Sequence, residues 1–390
     1  MICLIPNIGS TSFKYRLVDM QENERVLAEG RMERIGQPGG ACASHAAAIE
    51  KCLAEIAGPG KAIASLNEVD AVGFKVVHAG PMNATQIIDD AFLAAMEEFS
   101  FFAAAHNPHY IAAIRAFRRV LPGTPLVAVI ETAPYRQMEE FATTYAVPYA
   151  WREQHGIRRY GFHGASHRSA SQRVRELMPG GSVRHISCHL GGSSSVAAFA
   201  DGVAVDSSFG TSPQSGLPQS NRVGDIDAFA VLYMMKKLDL DPDRMAAVLC
   251  SQSGLAGIGG GSGDIRDLEQ EAQRGDKRAR LALDVFVRAI RHYLGAFMVS
   301  LGGVDAISFS GGIGENSAAI RSAALRGLAA FGIELDEEKN GALRGEGTIS
   351  SDGSRVRVMV IPANEEAVIA RETAAAVERA RALAGIGATA

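Results

Sequence analysis

The two halves of the chain carry the same pattern of short apolar runs around a turn of small residues. In the second half the pattern predicts three strands and the turns between them: strands 185–190, 196–200 and 203–207, a Gly/Ser turn at 191–195 and an Asp-Gly turn at 201–202. In the first half the runs 3–5 and 13–18 flank a matching turn, Gly9-Ser10-Thr11-Ser12, followed by a turn near Asp19. Gly and Ser expose backbone N–H groups and hydroxyls that can hold phosphate oxygens. The repetition predicts a duplicated domain, with a nucleotide in a cleft between the copies.

The remaining periodicity alternates between helices and buried strands, which predicts an α/β fold. The predicted helices are 41–57, 91–105, 110–120, from 160–167 to about 178, 225–238, 241–250, 279–301 and from 366 to about 384, before a frayed tail to 390. Further strands are predicted at 69–77, 126–130, 306–309 and 355–361, and irregular segments at 144–160 and 209–222. Residues 253–263 form another Gly/Ser run, and the glycine-rich segment 310–316 follows the strand 306–309. Polar groups follow several strands directly, among them His78, Glu131 and Glu365. Ligands of α/β proteins bind at such strand ends.

Length and composition limit the number of domains and the kinds of partner that the chain can have. The 390 residues suggest two domains, and a net charge of −4 with 21% charged residues gives no electrostatic reason to expect nucleic acid or a membrane surface. No apolar run is long enough to cross a bilayer and no signal peptide is evident, so we expect a cytoplasmic protein. Five cysteines without a C-x-x-C pair suggest buried free thiols rather than disulfides or structural zinc.

Nine short blocks, in this order, resemble the acetate kinase family of short-chain carboxylate kinases, within the superfamily of actin, Hsp70 and the sugar kinases. The blocks are 7–14, 75–78, 106–108, 160–167, 189–195, 224–227, 253–267, 312–317 and 364–366. The resemblance implies two duplicated actin-like (ribonuclease H-like) domains: 1–132 with 366–390, and 133–365, which would carry most of the nucleotide site. It also implies reversible, direct in-line phosphoryl transfer from ATP, with Mg²⁺, to a carboxylate such as acetate or propionate. Family members are commonly homodimers.

The resemblance also implies a role for particular side chains. Arg222 would be the cation on the carboxylate and the transferring phosphoryl group, His163 would donate to that group, and His106 would assist. Asn7 and Glu365 would hold Mg²⁺, while Glu131 would orient metal and nucleophile. The nucleotide would contact Ser12, Lys14, His189, Gly191, Gly192, Ser193, Ser194, Ser195, Asp264, Ile265, Arg266, Gly312, Ile313, Gly314, Glu315 and Asn316. The acid would contact Lys75, Val77, Ala105, Phe162 and Pro213, and Lys75 would also be one of the catalytic residues.

Several of these positions depart from the family pattern where the acid should bind. Lys75 stands where the family has Arg, a planar bidentate cation, and Glu131 stands where it has Asp. Ala105 replaces a Leu and Gly192 an Asn. The loop before Arg222, which the family fills with Leu-Glu-Gly-Leu-Met-Met-Gly-Thr, reads Gln-Ser-Gly-Leu-Pro-Gln-Ser-Asn over 214–221. These departures predict either an acid larger or more polar than acetate, or acetate used with reduced efficiency.

Some polar residues also have ordinary structural explanations. Histidines are often buried with backbone partners. For His78, His167 and His189 the residues alone favour this structural role over a catalytic one. Asp225 and Asp227 fit a loop brace and a helix N-cap better than metal ligands, and Asn316-Ser317 could be a cap alone.

Three other functions remain open from the sequence. A hydroxyl-directed, sugar-type kinase would need a carboxylate base, for which Glu131 is the candidate. Pyrophosphate could replace ATP if the adenosine pocket were filled. A nucleotide-binding regulator without catalysis is the third alternative. The chain retains five site residues of the family, which argues against it: Asn7, His106, His163, Arg222 and Glu365.

Overall fold

A computed structural model describes residues 1–9 and 11–387, with side chains described as far as Leu383. Ser10 of the first predicted turn and residues 388–390 of the predicted tail lie outside the described residues. The chain forms two compact units: the first comprises Met1–Arg136 and the C-terminal segment from Asn364, and the second is Gln137–Ala363.

The first unit contains a six-stranded mixed sheet. Its strands are β1 (Ile2–Ile8), β2 (Ser12–Asp19), β3 (Arg25–Glu33), β4 (Ala71–Val76), β5 (Gln86–Ile87) and β6 (Leu126–Ile130). The order across the sheet is β3-β2-β1-β4-β6-β5. Strands β1, β2 and β3 form an antiparallel meander, β1, β4 and β6 run parallel, and β5 is antiparallel to β6.

The second unit repeats this topology strand for strand. Its strands are β7 (Arg184–Leu190), β8 (Ser194–Ala200), β9 (Val203–Ser207), β10 (Ala306–Ser310), β11 (Gly347–Thr348) and β12 (Arg357–Val360). The order is β9-β8-β7-β10-β12-β11, with an antiparallel meander, three parallel strands and an antiparallel edge strand as before. The predicted duplicated α/β fold is confirmed by this match.

Helices cover both faces of each sheet. They are α1 (His45–Ile56), α2 (Asp90–Glu98), α3 (Asn107–Val120), α4 (Glu140–Thr143), α5 (Ala150–His155), α6 (Gly164–Leu177), α7 (Ala228–Leu238), α8 (Pro242–Ser251), α9 (Gly254–Gly259), α10 (Ile265–Gln273), α11 (Lys277–Ser300), α12 (Gly311–Asn316), α13 (Ala318–Leu325), α14 (Glu337–Ala342) and α15 (Glu365–Gly387). Short 3₁₀ turns lie at Leu66–Glu68, Phe99–Phe101, Ala133–Tyr135 and Ala329–Phe331.

The cores follow from this layering. In the first unit α1, α2 and α3 pack on one face of the sheet, and α15 packs on the other through Ile369, Ala370 and Val377. In the second unit α10, α11 and α13 cover one face, and α6 covers the other through Ala170 and Val174. Apolar residues at i, i+3 and i+4 on α11 produce its buried stripe, as its amphipathic sequence predicts. The parallel strands buried on both faces, such as β6 and β10, are apolar or small throughout.

The structure differs from the predicted elements in identifiable places. Strand β3 was not predicted, because only Met32 of its nine residues is fully buried and the rest reads as a polar segment. The predicted helix 91–105 ends as α2 at Glu98 and continues as a 3₁₀ turn and a loop. The glycine-rich segments 253–263 and 310–316, for which no helix was predicted, contain the short helices α9 and α12. Helix α5 lies within the predicted irregular segment 144–160.

Three of the five free cysteines (Cys3, Cys52 and Cys188) are buried, and Cys42 and Cys250 are half-buried. Among the described residues, no helix combines the length and the apolar character that crossing a membrane requires.

Candidate active site

In the first unit, charged side chains meet at the carboxyl ends of the parallel strands. Lys75 near the end of β4 places its Nζ 2.7 Å from Oε2 of Glu365, which begins α15, and both side chains are about four-fifths buried (22% and 17% exposed). Glu131 directly follows β6, is 3% exposed, and its backbone N–H donates to Val76 at 2.8 Å. Burial alone lowers the pKa of the Lys75 ammonium, but Glu365 and Glu131 raise it by more, so the net shift is upward. Lys75 is therefore a charged, paired lysine.

Tyr110 belongs to the same group of residues and was not predicted from the sequence. Its hydroxyl, on the first turns of α3, accepts a hydrogen bond from the Ile8 N–H at 3.3 Å, and the side chain is 2% exposed. Burial raises the pKa of this phenol, the Lys75 charge lowers it in part, and Glu131 and Glu365 raise it. Its place four residues after His106 was a usable signal, because residues i and i+4 share a helix face.

The first hairpin places Asn7 and Lys14 opposite each other. Asn7 of β1 pairs in register with Lys14 of β2, and the Gly9 N–H donates to Ser12 O at 2.9 Å to close the turn. A Cβ on Gly9 would lie 2.5 Å from the Ser12 hydroxyl, so a larger residue here would require that hydroxyl to rotate away. Asn7 and Lys14 line a groove of about 400 Å³ together with Glu366 of α15.

The residues predicted to contact the acid are divided between the two units. In the first unit Val77 is buried while Ala105 is exposed, next to His106 at the N-terminus of α3. In the second unit Phe162 and Pro213 are buried, and the Phe162 ring packs edge-on against Phe209 at 5.7 Å.

A chain of hydrogen bonds runs through the histidines of the second unit. His163 Nδ1 and His167 Nε2 both lie 2.8 Å from the Ser195 hydroxyl, and His167 Nδ1 lies 2.8 Å from the Ser187 hydroxyl. His163 itself has φ 55° and ψ 33°, a left-handed conformation that is uncommon outside glycine, at the start of α6. Burial, with smaller contributions from His189 and His185, lowers the pKa of His167 well below its usual range, so this ring is neutral at pH 7.

Serine hydroxyls contact His167 and His189 in the structure. Ser187 and Ser195 bond His167, and the Ser166 hydroxyl lies 2.7 Å from Nδ1 of His189. The His189 ring centroid is 4.4 Å from that of His163. His78 does have backbone contacts, because its Nδ1 accepts from the Gly80 N–H at 3.1 Å.

Arg222 lies half-buried in the loop between β9 and α7. Its Nη1 donates to the Ser193 hydroxyl and to Oε1 of Gln219, both at 3.3 Å. Within the described part of the chain Arg222 has no carboxylate within ion-pair distance, and its other guanidinium N–H groups contact no acceptor. Burial lowers the pKa of this guanidinium, and the Cys250 thiol opposes that shift. A cation held only by neutral oxygens is suited to binding an anion.

A cavity of about 800 Å³ adjoins this loop within the second unit. It brings together eight of the residues predicted to contact the nucleotide: Gly191, Gly192, Asp264, Ile265, Arg266, Gly312, Ile313 and Asn316. Residues not predicted there also line it: Ser220, Asn221, Ser251, Ala256, Gly263, Glu269 and Ser317. Asp264 caps α10 and binds Arg266 through both carboxylate oxygens, and those hydrogen bonds lower the pKa of Asp264 to about 2.

Four residues predicted to contact the nucleotide make contacts within the protein or lie away from the cavity. Ser194 closes its own turn by bonding Gly191, and the Ser195 hydroxyl bonds His163 and His167. Gly314 is buried and does not line the cavity. Glu315 accepts from the Gly311 and Ala363 N–H groups at 2.9 and 3.1 Å, which makes it a brace between two strand ends.

The acidic loop residues behave as the sequence suggested. Asp227 caps α7 by accepting from Phe229 N at 2.7 Å, and Asp225 accepts from the Gly216 N–H and the Tyr293 hydroxyl. Ser317 caps α13.

Comparison with known proteins gives a consistent result across the chain. The sequence model of the Acetokinase family matches residues 2–371. An acetate kinase of Shouchella clausii is 43% identical over 385 residues, covering 94% of this chain and 97% of that protein. The crystal structure of Porphyromonas gingivalis acetate kinase superposes with a TM-score of 0.86 at 34% identity, covering 96% of this chain and 99% of that one. A propionate kinase from Francisella tularensis gives 0.86 at 32%, covering 95% and 98%.

Proposed function

This chain belongs to the Acetokinase family, and we propose that it transfers the terminal phosphoryl group of ATP to the carboxylate of a short-chain acid. The products are an acyl phosphate and ADP, and the reaction is reversible. Relatives named as acetate kinase and propionate kinase, each matched over nearly their whole length, support this substrate class.

The single observation that carries the proposal is the environment of Arg222. The guanidinium is half-buried, keeps its charge without a carboxylate partner in the described chain, and is held by the neutral oxygens of Ser193 and Gln219. An anionic acid or a transferring phosphoryl group compensates that charge on binding. Phosphoryl transfer needs positioning and positive groups more than a strong base, which is what Arg222 supplies.

We assign the hydrogen bond to the transferring phosphoryl group to His163. Its Nδ1 is engaged by Ser195, which is itself bonded to neutral His167, so the ring orientation is set from one side. His106, at the start of α3 in the first unit, is assigned an assisting role in the same reaction.

A magnesium ion is part of the proposed reaction, and the residues of the first unit fit it. Mg²⁺ prefers oxygen ligands and usually takes one or two carboxylates, with water and substrate phosphates completing its shell. Asn7 and Glu365 provide such oxygens, and Glu131 provides a buried carboxylate at the neighbouring strand end. When bound, the ion neutralises phosphate charge; Lys75 holds the Glu365 carboxylate in place.

ATP is favoured over pyrophosphate as the donor. Pyrophosphate use would follow if side chains filled the adenosine pocket, but the second unit keeps a cavity of about 800 Å³ beside Gly191 and Gly192. A hydroxyl-directed kinase and a regulator without catalysis are not favoured, because the matched relatives are named as carboxylate kinases.

The experiment that tests this proposal is a hydroxylamine trap. Purified protein is incubated with Mg²⁺, hydroxylamine, either ATP or pyrophosphate, and one acid from a panel of acetate, propionate, butyrate and hydroxylated short acids. Formation of a hydroxamate with ATP is expected, since acyl phosphates react with hydroxylamine and sugar phosphates do not. A hydroxamate formed only with pyrophosphate would overturn the choice of donor, and ADP released only with sugars would overturn the choice of acceptor.

The size of the acid is expected to depend on Ala105. Replacing Leu by Ala removes about three methylene-sized groups, worth roughly 2 kcal/mol at about 0.8 kcal/mol per CH₂ for an acyl chain that fills the space. We therefore expect kcat/KM to be higher for propionate, butyrate or a hydroxylated short acid than for acetate. Ala105→Leu should move the preference toward acetate by roughly 10-fold, within the range that one apolar pocket can discriminate.

The same change at the neighbouring exposed position, Ala104→Leu, is the control and should leave the preference unchanged. A parent enzyme that prefers acetate, together with an Ala105→Leu variant of identical preference, would show that Ala105 does not set the acid.

We also propose that the protein acts in the cytoplasm as a homodimer. Helix α7 has no buried residue, and its apolar side chains Phe229, Leu232, Tyr233 and Leu238 are 57–79% exposed, which a second copy would cover. A purely monomeric mass in sedimentation equilibrium would contradict the dimer.

A further inference from the structure

Gln219 has a buried amide that connects three separate parts of the second unit. It is 0% exposed, and both ends of its side chain are bonded: Nε2 donates to Pro213 O at 2.7 Å, and Oε1 accepts from the Ser193 hydroxyl at 2.6 Å. Oε1 also accepts from Nη1 of Arg222 at 3.3 Å. The amide therefore joins the turn after β7, the Pro213 segment and the guanidinium.

The direction of this network follows from what each atom can do. A proline carbonyl only accepts, so the amide NH₂ must face Pro213 and the amide oxygen must face Ser193 and Arg222. The Ser193 hydroxyl then donates its proton to that oxygen, which leaves its lone pairs for Nη1 of Arg222 at 3.3 Å. One guanidinium N–H group thus lies between two acceptors whose orientations are both set by Gln219.

The backbone makes the arrangement rigid. The Gln219 N–H donates to Arg222 O at 3.0 Å, and Gln219 O accepts from the Leu255 N–H at 2.8 Å. Since the side chain and the main chain are both engaged, the amide has one orientation, and the loop that carries Arg222 is tied to α9.

We propose that Gln219 is the positioning residue for Arg222. It orients the guanidinium through its own oxygen and through Ser193, and because both acceptors are neutral the charge of Arg222 remains available to an anionic substrate. A glutamate at this position would place a carboxylate at the same guanidinium and compete with that substrate. The inference rests on the proposed role of Arg222, and it adds the residue that sets the direction of the cation.

The test uses the full-length protein and measures kcat and KM for the acid and for ATP. Gln219→Met keeps an unbranched side chain of similar size and removes the amide. We expect kcat/KM for the acid to fall about 10- to 100-fold, the range for losing a hydrogen bond to a charged group, with the thermal unfolding midpoint close to that of the parent. Gln219→Glu should lose more, because its carboxylate pairs with Arg222.

Two controls separate a positioning role from a structural one. Gln252→Met makes the same change at an exposed glutamine after α8, and should leave all constants unchanged. In an Arg222→Ala background, adding Gln219→Met should lower kcat/KM by less than about a further twofold, since the residue that Gln219 positions is gone. An equal loss in both backgrounds, or parent-like kcat/KM in Gln219→Met, would overturn the inference.

A second variant covers the case in which Gln219→Met does not fold. Ser193→Ala removes the bridging hydroxyl. With ATP at saturation, so that the predicted nucleotide contact of Ser193 does not enter, it should lower kcat/KM for the acid by roughly 3- to 10-fold, and added to Arg222→Ala it should lower kcat/KM no further. If Arg222→Ala itself has parent-like activity, the proposed function of Arg222 fails; if it is inactive while Gln219 and Ser193 variants behave as the parent, only the positioning role fails.

Discussion

Arg222→Ala is expected to lower kcat by about 10³-fold or more, while the affinity for ATP changes little. The guanidinium is half-buried in the loop 208–222 and has no carboxylate partner among the described residues. The neutral oxygens of Ser193 and Gln219 hold it in place. A cation that stabilises charge on a transferring phosphoryl group is worth 10³–10⁵ in kcat, because the charge it neutralises is largest in the transition state. Steady-state kinetics with acid and ATP varied separately gives both constants.

The matched control is Arg244→Ala. Arg244 lies on α8 of the same unit, is exposed, and pairs with Asp241 at 3.5 Å, so its removal should leave kcat unchanged. An Arg222→Ala variant with kcat within tenfold of the parent would show that another group stabilises the transferring charge.

Glu365→Gln is expected to destabilise the first unit and to raise the Mg²⁺ concentration needed for half-maximal activity. The ion pair with Lys75 is about four-fifths buried, and removing one partner of such a pair leaves a charge poorly solvated, at a cost of about 3 kcal/mol. Burial disfavours the charged form of Lys75, whereas Glu365 and Glu131 favour it. Glu131 alone therefore compensates the ammonium charge only in part. Urea unfolding gives the stability, and activity against Mg²⁺ concentration gives the metal requirement.

An exposed pair in the same unit provides the comparison. Glu97→Gln breaks the pair with Arg115 (2.6 Å, both side chains about half-exposed), and should cost well under about 1 kcal/mol with no change in Mg²⁺ requirement. Adding Lys75→Met to Glu365→Gln should restore part of the lost stability, because no buried charge remains. Glu365→Gln that matches Glu97→Gln in both measurements would remove Glu365 from the metal site.

The strands that could be predicted were those whose apolar residues and flanking turn residues lie close together in the sequence. The hairpin around 191–195 and the buried strand Leu126–Ile130 appear in the structure close to their predicted positions, because apolar runs and turn residues are visible in any short window. Strand β3 could not be found in this way: its polar residues are held by pairing with β2, which is a tertiary contact. Helices α9 and α12 contain three glycines each, so their formation depends on neighbours rather than on helix propensity.

The site shows the same division. Residue types at strand ends indicated Glu131 and Glu365, and the family resemblance indicated Lys75. The contact between Lys75 and Glu365 joins positions 290 residues apart and has no signal in the local sequence. Ser195 was expected to face phosphate from its place in a Gly/Ser turn, whereas its strand register points the hydroxyl at His163 and His167. Gln219 was one polar residue in an irregular loop until its amide was seen to bond Pro213, Ser193 and Arg222.

The central claim is that a carboxylate oxygen attacks the terminal phosphorus of ATP, and isotope transfer measures this directly. The protein is incubated with Mg²⁺, ATP and acetate or propionate carrying ¹⁸O in both carboxylate positions, and the acyl phosphate is followed by ³¹P nuclear magnetic resonance. We expect one ¹⁸O atom bonded to phosphorus in the bridging position, seen as the small upfield shift of the acyl phosphate resonance. An acyl phosphate without ¹⁸O on phosphorus, or ADP formed without any acyl phosphate, would contradict the proposed reaction.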